Sequence, residues 1–331
     1  MMNFCTLFDS YYIHKGIALY LSLERQTQDF HLYVMAFDKD CYDKLNAIGF
    51  DKMTVERVDA FETPELLAVK PTRTKAEYCW TCGPSVIWHF LNKYHLPELT
   101  YLDSDLFFMG DPHLLFDEIG DRSIAITEQR ASKKEEKLFG KYCVQFMYFK
   151  NDPQGREALS WWRDACIDWC FMRIENGLFA DQKYLDQFPV RYQSLCVLEN
   201  PGAGIAPWNM HRYTYADNRI RYKGKEYPCV FVHMHGLKME VKGRSILMHS
   251  NDAVINHDDK AAYYNRYAEA LRHVLKTYFG IETDSYSIEG IGFFRRIYFR
   301  LRSLLRDVGV VQWLYFKVFK TIYKGHGTKL S

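Results

Sequence analysis

No stretch of the chain approaches the ~18 uncharged apolar residues that a helical membrane span needs. Its opening, MMNFCTLFDS, lacks a charged segment followed by an apolar one. No export signal is read there, and a reducing cytosol is the expected compartment. Internal repeats, low-complexity tracts and long linkers are missing from the first 280 residues. A second Cys-x-x-Cys is missing too. Nine cysteines supply only two close pairs, Cys79-x-x-Cys82 and Cys166-x-x-x-Cys170. That spacing makes no zinc ribbon, and buried helical thiols are the plainer reading. Net charge is also small, at +2, which argues against a nucleic-acid partner.

What is present is an ordinary globular composition, 48% hydrophobic and 25% charged over 331 residues, which fits one enlarged α/β domain with an appendage. Aromatic residues reach 16%, enough to fill a large core and leave rings for ligands. Charge is unevenly placed. From Ile291 onward nine basic residues (Arg295, Arg296, Arg300, Arg302, Arg306, Lys317, Lys320, Lys324 and Lys329) face one acid, Asp307, so this tail carries +8 and residues 1–290 carry −6. On a helical wheel Phe294, Ile297, Tyr298, Leu301, Leu304, Leu305 and Val308 share an arc of about 120°. An interfacial helix on an anionic membrane surface is expected, against the plainer alternative of a helix packed on the body.

Strands are expected at 4–8, 31–37, 54–58 and 99–108, with helices at 16–25, 41–48 and 77–94 between them. This alternation predicts a doubly wound, mostly parallel α/β sheet, with ligands beyond the carboxyl ends of its strands. Further strands are expected at 123–127, 143–149 and 229–235, a charged loop at 129–137, and helices at 155–174 and 258–278. The domains so divided are a catalytic body at 1–250, a helical extension at 251–290 and the basic tail at 291–331.

Four motifs carry chemistry. Tyr101-Leu102-Asp103-Ser104-Asp105-Leu106-Phe107-Phe108 sets two carboxylates two apart, on one side of an extended segment, where they suit a hard divalent cation that also holds phosphate. Phe231-Val232-His233-Met234-His235-Gly236-Leu237-Lys238 adds imidazoles, a glycine that lets backbone approach a ligand, and a lysine for phosphate. Asp181 and Gln182, in Ala180-Asp181-Gln182-Lys183, are either site residues or a helix cap. Thr6-Leu7-Phe8-Asp9-Ser10-Tyr11-Tyr12 hands the first strand to a helix with groups suited to a base and ribose.

Together these segments resemble GT-A glycosyltransferases of the retaining glycogenin and lipooligosaccharide-galactosyltransferase kind, and bacterial polysaccharide sugar transferases. The resemblance covers roughly residues 3–240. It implies a nucleoside diphosphate sugar as donor, with uridine as the expected base, and a glycan or lipid-linked acceptor. By the same resemblance Asp103, Asp105 and His233 hold Mn²⁺ or Mg²⁺, with Ser104 between the acids. Gly236 and Lys238 lie on the pyrophosphate; Thr6, Asp9, Tyr12 and Lys75 line the nucleotide; Asp181 and Gln182 lie along the transferred sugar. Two departures stand out. Cys143 and Gln145 occupy the places of an Asn and a Gly beside the donor sugar, and the helix arginine before Asp103 has only Arg73 and Lys75 near its position. The resemblance favours retention at the anomeric carbon. A sugar nucleotidyltransferase is the rival enzyme, disfavoured because residues 6–15 hold no glycine for a phosphate loop; a non-catalytic carbohydrate-binding relative is the other. Oligomeric state is left open.

Overall fold

The computed structural model describes residues 1–242, 245–250, 257–281 and 285–288; the tail expected at 291–331 lies outside the described residues. Strand β1 (Met2–Phe8) is buried at every position, as a strand covered on both faces must be. Helix α1 (Ile13–Gln26), β2 (Phe30–Ala36), α2 (Lys39–Ile48), β3 (Met53–Arg57), α3 (Pro64–Val69), α4 (Lys75–Lys93) and β4 (Glu98–Leu102) follow. Beyond them come β5 (Leu106–Phe108), α5 (His113–Ile119), β6 (Ile124–Glu128), α6 (Lys133–Phe139), β7 (Tyr142–Lys150), α7 (Pro153–Asp168) and β8 (Leu195–Leu198). The main sheet has the order β3-β2-β1-β4-β7-β6-β8. Only β7 runs against the other strands. The expected doubly wound, mostly parallel sheet is therefore present.

Its two faces bury separate cores. Tyr78, Val86 and Phe90 of α4 meet Leu159 and Trp162 of α7 on one face. Ile17 and Tyr20 of α1 meet Tyr267 and Leu271 of the helix at 257–279 on the other. That helix runs from 257 to 279 with a π-helical turn at Lys260–Tyr264, close to the single helix expected at 258–278.

Several expected boundaries move. The strand at 99–108 breaks at Asp103-Ser104-Asp105, where the Leu106 N–H donates to the Asp103 carbonyl at 3.1 Å and closes a turn. Asp and Ser favour such turns over continued strand. The second piece, β5, leaves the main sheet and pairs with β13 (Phe231–His233), which also pairs with β9 (Ala203–Ile205). The helix at 155–174 stops at Asp168. The loop expected at 129–137 gives way from Lys133 to α6, opened by a reciprocal cap between Ser132 and Glu135. An unexpected meander of β10 (Thr214–Ala216), β11 (Arg219–Tyr222) and β12 (Lys225–Pro228) precedes β13. Strand β14 (Leu237–Lys242) follows it; the Lys238 side chain lies outside the described residues.

Candidate functional site

In an open parallel sheet the crevice forms where strand order reverses, outside the carboxyl ends of the strands. Here that point lies between β1 and β4. Asp9 to Tyr12 leave the end of β1, and Asp103 to Asp105 leave the end of β4. Two of the four motifs thus come to one place.

The two carboxylates converge through the turn after β4 rather than by strand alternation. Asp105 is 8% exposed. Its Oδ1 lies 3.1 Å from His233 Nε2, and Asp103 Oδ2 lies 3.6 Å from the same nitrogen. His233 is buried at the end of β13, and the Met234 N–H donates to the Asp105 carbonyl at 3.0 Å, which ties the strand end to the turn. Half-buried Ser104 sits between the acids. Gly236, at φ +60, supplies the left-handed residue of the turn closed from Leu237 N–H to the Met234 carbonyl. That turn brings exposed His235 back, so that ligand atoms of Asp105, His233 and His235 lie within 4.8 Å of one another. The Trp208 ring meets both imidazoles edge-on at 5.7 Å.

Burial opposes the charge on Asp105, but His233 and, further off, Lys15 and His235 hold its carboxyl well below the usual range. Asp103 goes the other way. Burial, then the charges of Asp105 and Asp181, push it well above the usual range. The crevice thus shifts two close acids in opposite directions.

Asp181 belongs to the same neighbourhood, since its charge is felt at Asp103 and Tyr101. Burial pushes its carboxyl up to about 7, with backbone hydrogen bonds opposing. The preceding Ala180 has φ +48 and Trp162 donates its indole N–H to the Asp181 carbonyl at 2.9 Å, so the backbone here is held in an uncommon conformation. Gln182 turns elsewhere: its amide donates to the Phe139 carbonyl at 3.0 Å, at the end of α6.

At the end of β1, Asp9 accepts the Tyr12 N–H at 3.1 Å and pairs with Lys75 Nζ at 2.5 Å. Burial disfavours the ammonium of Lys75, yet Asp9 outweighs it and raises its pKa. Thr6 is fully buried within β1. Arg73, the other basic residue considered, has a structural task. Its guanidinium donates to the Ile167 carbonyl at 3.1 Å and stacks 3.8 Å from the Phe171 ring, closing the end of α7.

Three features of the site go beyond the sequence reading. Lys15 is 2% exposed, with Nζ 4.0 Å from the Tyr12 ring centroid; a lysine among apolar helix positions is the only signal for it. His235 joins the metal-capable group. Gln145, expected beside a sugar, is fully buried, with its Oε1 3.0 Å from His233 Nδ1.

No family model matches the chain. YfnF of Bacillus subtilis, an uncharacterised protein, is 29% identical over 285 residues, which is 82% of this chain and 92% of that one. YfnD of the same organism, also uncharacterised, is 30% identical over 243 residues, 72% of this chain and 78% of that one. Among solved structures, the galactosyltransferase LgtC in complex with donor and acceptor sugar analogues has a TM-score of 0.53 over 82% of this chain and 95% of its own, at 13% identity. The chain belongs to the family of YfnD, and its fold is the GT-A fold of the galactosyltransferase LgtC.

Proposed function

We propose that the chain is a metal-dependent glycosyltransferase that moves a sugar from a nucleoside diphosphate sugar to a glycan or lipid-linked acceptor. The observation that carries this reading is the convergence of Asp105, Asp103 and His233 at the reversal point of a sheet that LgtC shares. A carboxylate-and-imidazole donor set suits Mn²⁺ or Mg²⁺. His233 fits such a role because Nδ1 is occupied by Gln145, leaving Nε2 to face the acids. A cation bound there would neutralise the charge gathering on the departing diphosphate.

The remaining steps fall to the chain's own residues. Asp9, Tyr12 and Lys75 hold the nucleoside at the end of β1, with Thr6 beneath them in the strand. Lys15 adds a buried positive charge, felt at Asp105, to the side where diphosphate gathers; the resemblance assigns Gly236 and Lys238 to the diphosphate as well. Asp181, when ionised, stabilises the oxocarbenium-like sugar as the glycosidic bond stretches, and Gln182 orders the loop beside it. For retention the acceptor hydroxyl approaches the face the diphosphate leaves, and a diphosphate oxygen takes its proton. Polysaccharide or lipopolysaccharide synthesis is the setting such an acceptor suggests.

A panel of sugar nucleotides tests this directly. With Mn²⁺, one nucleoside diphosphate sugar at a hundredfold excess over its dissociation constant should stabilise the chain by roughly 2.7 kcal/mol, and free sugar should be slowly released. Chelator should remove both effects. No shift with any sugar nucleotide, with or without metal, would overturn the reading.

Residues 291–331 add a membrane to this proposal on sequence grounds alone. Among the described residues no helix is long and apolar enough to cross a membrane. Each Lys or Arg near an anionic surface contributes roughly 1 kcal/mol, so half of the nine would hold the enzyme at the cytoplasmic face beside a lipid-linked acceptor. The chain should sediment with anionic vesicles and be released by high salt. Deletion after Glu289 should abolish sedimentation and preserve donor hydrolysis; undiminished binding by the truncated chain would show that the tail only packs.

A further inference from the structure

We propose that Gln145 is a positioning residue that fixes the tautomer of His233 and so presents Nε2 to a divalent cation; this rests on the metal-site reading above. Gln145 lies in β7 and is 0% exposed. Against β4 the strand keeps register to Leu102 opposite Phe146, and the Asp103 N–H then donates to the Gln145 carbonyl at 3.1 Å. Against β6 the register slips. Ala125 opposes Tyr148, but Thr127, two residues on, opposes Cys143, five residues back. Such irregularities re-aim side chains beside functional sites.

Here the re-aimed carboxamide has two partners. Oε1 lies 3.0 Å from His233 Nδ1, and Nε2 lies 2.9 Å from Thr127 Oγ1. Thr127 has the Cys143 carbonyl as acceptor for its hydroxyl proton, at 3.5 Å, which leaves its oxygen to receive an amide N–H. The amide nitrogen therefore points at Thr127 and the amide oxygen at His233. Facing an acceptor, Nδ1 must carry hydrogen and donate it. The opposite nitrogen, Nε2, is the one that lies 3.1 Å from Asp105 and 3.6 Å from Asp103.

The surroundings are built for this carboxamide. Gly204 has φ +85, and a Cβ there would stand 2.2 Å from Gln145 Nε2. Asn209 holds the Gly204 carbonyl at 3.0 Å and the Gln129 carbonyl at 2.8 Å, closing the loop over the amide. Gln145 thus steadies both halves of the site, the Asp103–Asp105 turn through its backbone and the histidine through its side chain.

The test uses the full chain and MnCl₂ alone, with free Mn²⁺ read by electron paramagnetic resonance. Removing an acceptor behind a ligating histidine lowers metal affinity roughly 10- to 100-fold, and Gln145→Leu should do so. Gln145→Glu keeps an oxygen toward Nδ1, while its other oxygen accepts the Thr127 hydroxyl, so binding should stay within about tenfold of the parent. Nitrogen-15 spectra of the Mg²⁺-loaded parent should show hydrogen on Nδ1 of His233. If Gln145→Leu does not fold, Thr127→Val frees the amide to turn over and should also weaken Mn²⁺. His233→Ala separates the two levels of the argument, and should weaken Mn²⁺ more than His235→Ala. Parent-like binding by the leucine and valine variants, with His233→Ala weakened, would overturn the role of Gln145 alone. Parent-like binding by His233→Ala would overturn the metal site itself.

Discussion

Asp105→Ala should lower sugar transfer at least a thousandfold, about 4 kcal/mol of transition-state stabilisation, and abolish metal-dependent donor binding. The size follows from placement. Asp105 is the nearly buried acid whose charge His233, Lys15 and His235 sustain, so it is the group already ionised before any cation arrives. Asp103 is more exposed, at 28% for its side chain, and more distant from His233. Asp103→Ala should therefore lose less activity than Asp105→Ala. Steady-state rates across a Mn²⁺ titration read both effects, with circular dichroism to confirm the fold. Full transfer by the Asp105 variant in chelator would refute the cation role, and the reverse ranking would make Asp103 the principal ligand.

Asp181→Asn should slow turnover far more than it weakens donor binding, because the carboxylate is assigned to the transition state. The same change should stabilise the protein, and the sign depends on pH. A carboxyl raised to about 7 in the folded chain binds its proton more tightly folded than unfolded. Stability from this group is therefore intact below the ordinary carboxyl range and declines as pH climbs from about 4 to 7. Ionising such a carboxyl inside the folded chain costs about 4 kcal/mol at alkaline pH. Asparagine removes that decline, so its melting-temperature advantage should be small at pH 4 and reach several degrees at pH 8. Parallel curves for parent and variant would show that Asp181 ionises normally.

The first half of the sheet is legible in sequence because buried parallel strands and amphipathic helices have different periods, and each segment there is long enough to display its own. Asp103, Asp105 and His233 are legible for a similar reason, as polar residues at the ends of apolar runs. The places where sequence and structure part have identifiable causes. YLDSDLFF reads as one strand because its flanks are apolar, yet the turn chemistry of Asp-Ser-Asp prevails. Helix α7 stops at Asp168, where Arg73 holds the Ile167 carbonyl across 94 residues, a contact no local pattern displays. The meander does carry a local signal. Asp217-Asn218 and Lys223-Gly224 all have positive φ, as tight two-residue hairpins require. Gln145 escapes a sequence reading because strict strand alternation leaves no room for the register slip in β7.

The order of the chain sets when the candidate site is completed. Every strand of the seven-stranded sheet has been synthesised by Leu198, and the acids of the turn by Asp105. His233 arrives only with β13, which must insert between β5 and β9. A nascent chain, at roughly 5–20 residues per second, therefore spends seconds with the strands of that sheet made and its acids unmatched. A chain ended at residue 228 would lack the histidine and also the helix whose Tyr267 and Leu271 pack on α1. Synthesis thus runs from acids to the last strand of the sheet to imidazole, and the proposed transfer waits for the third of these.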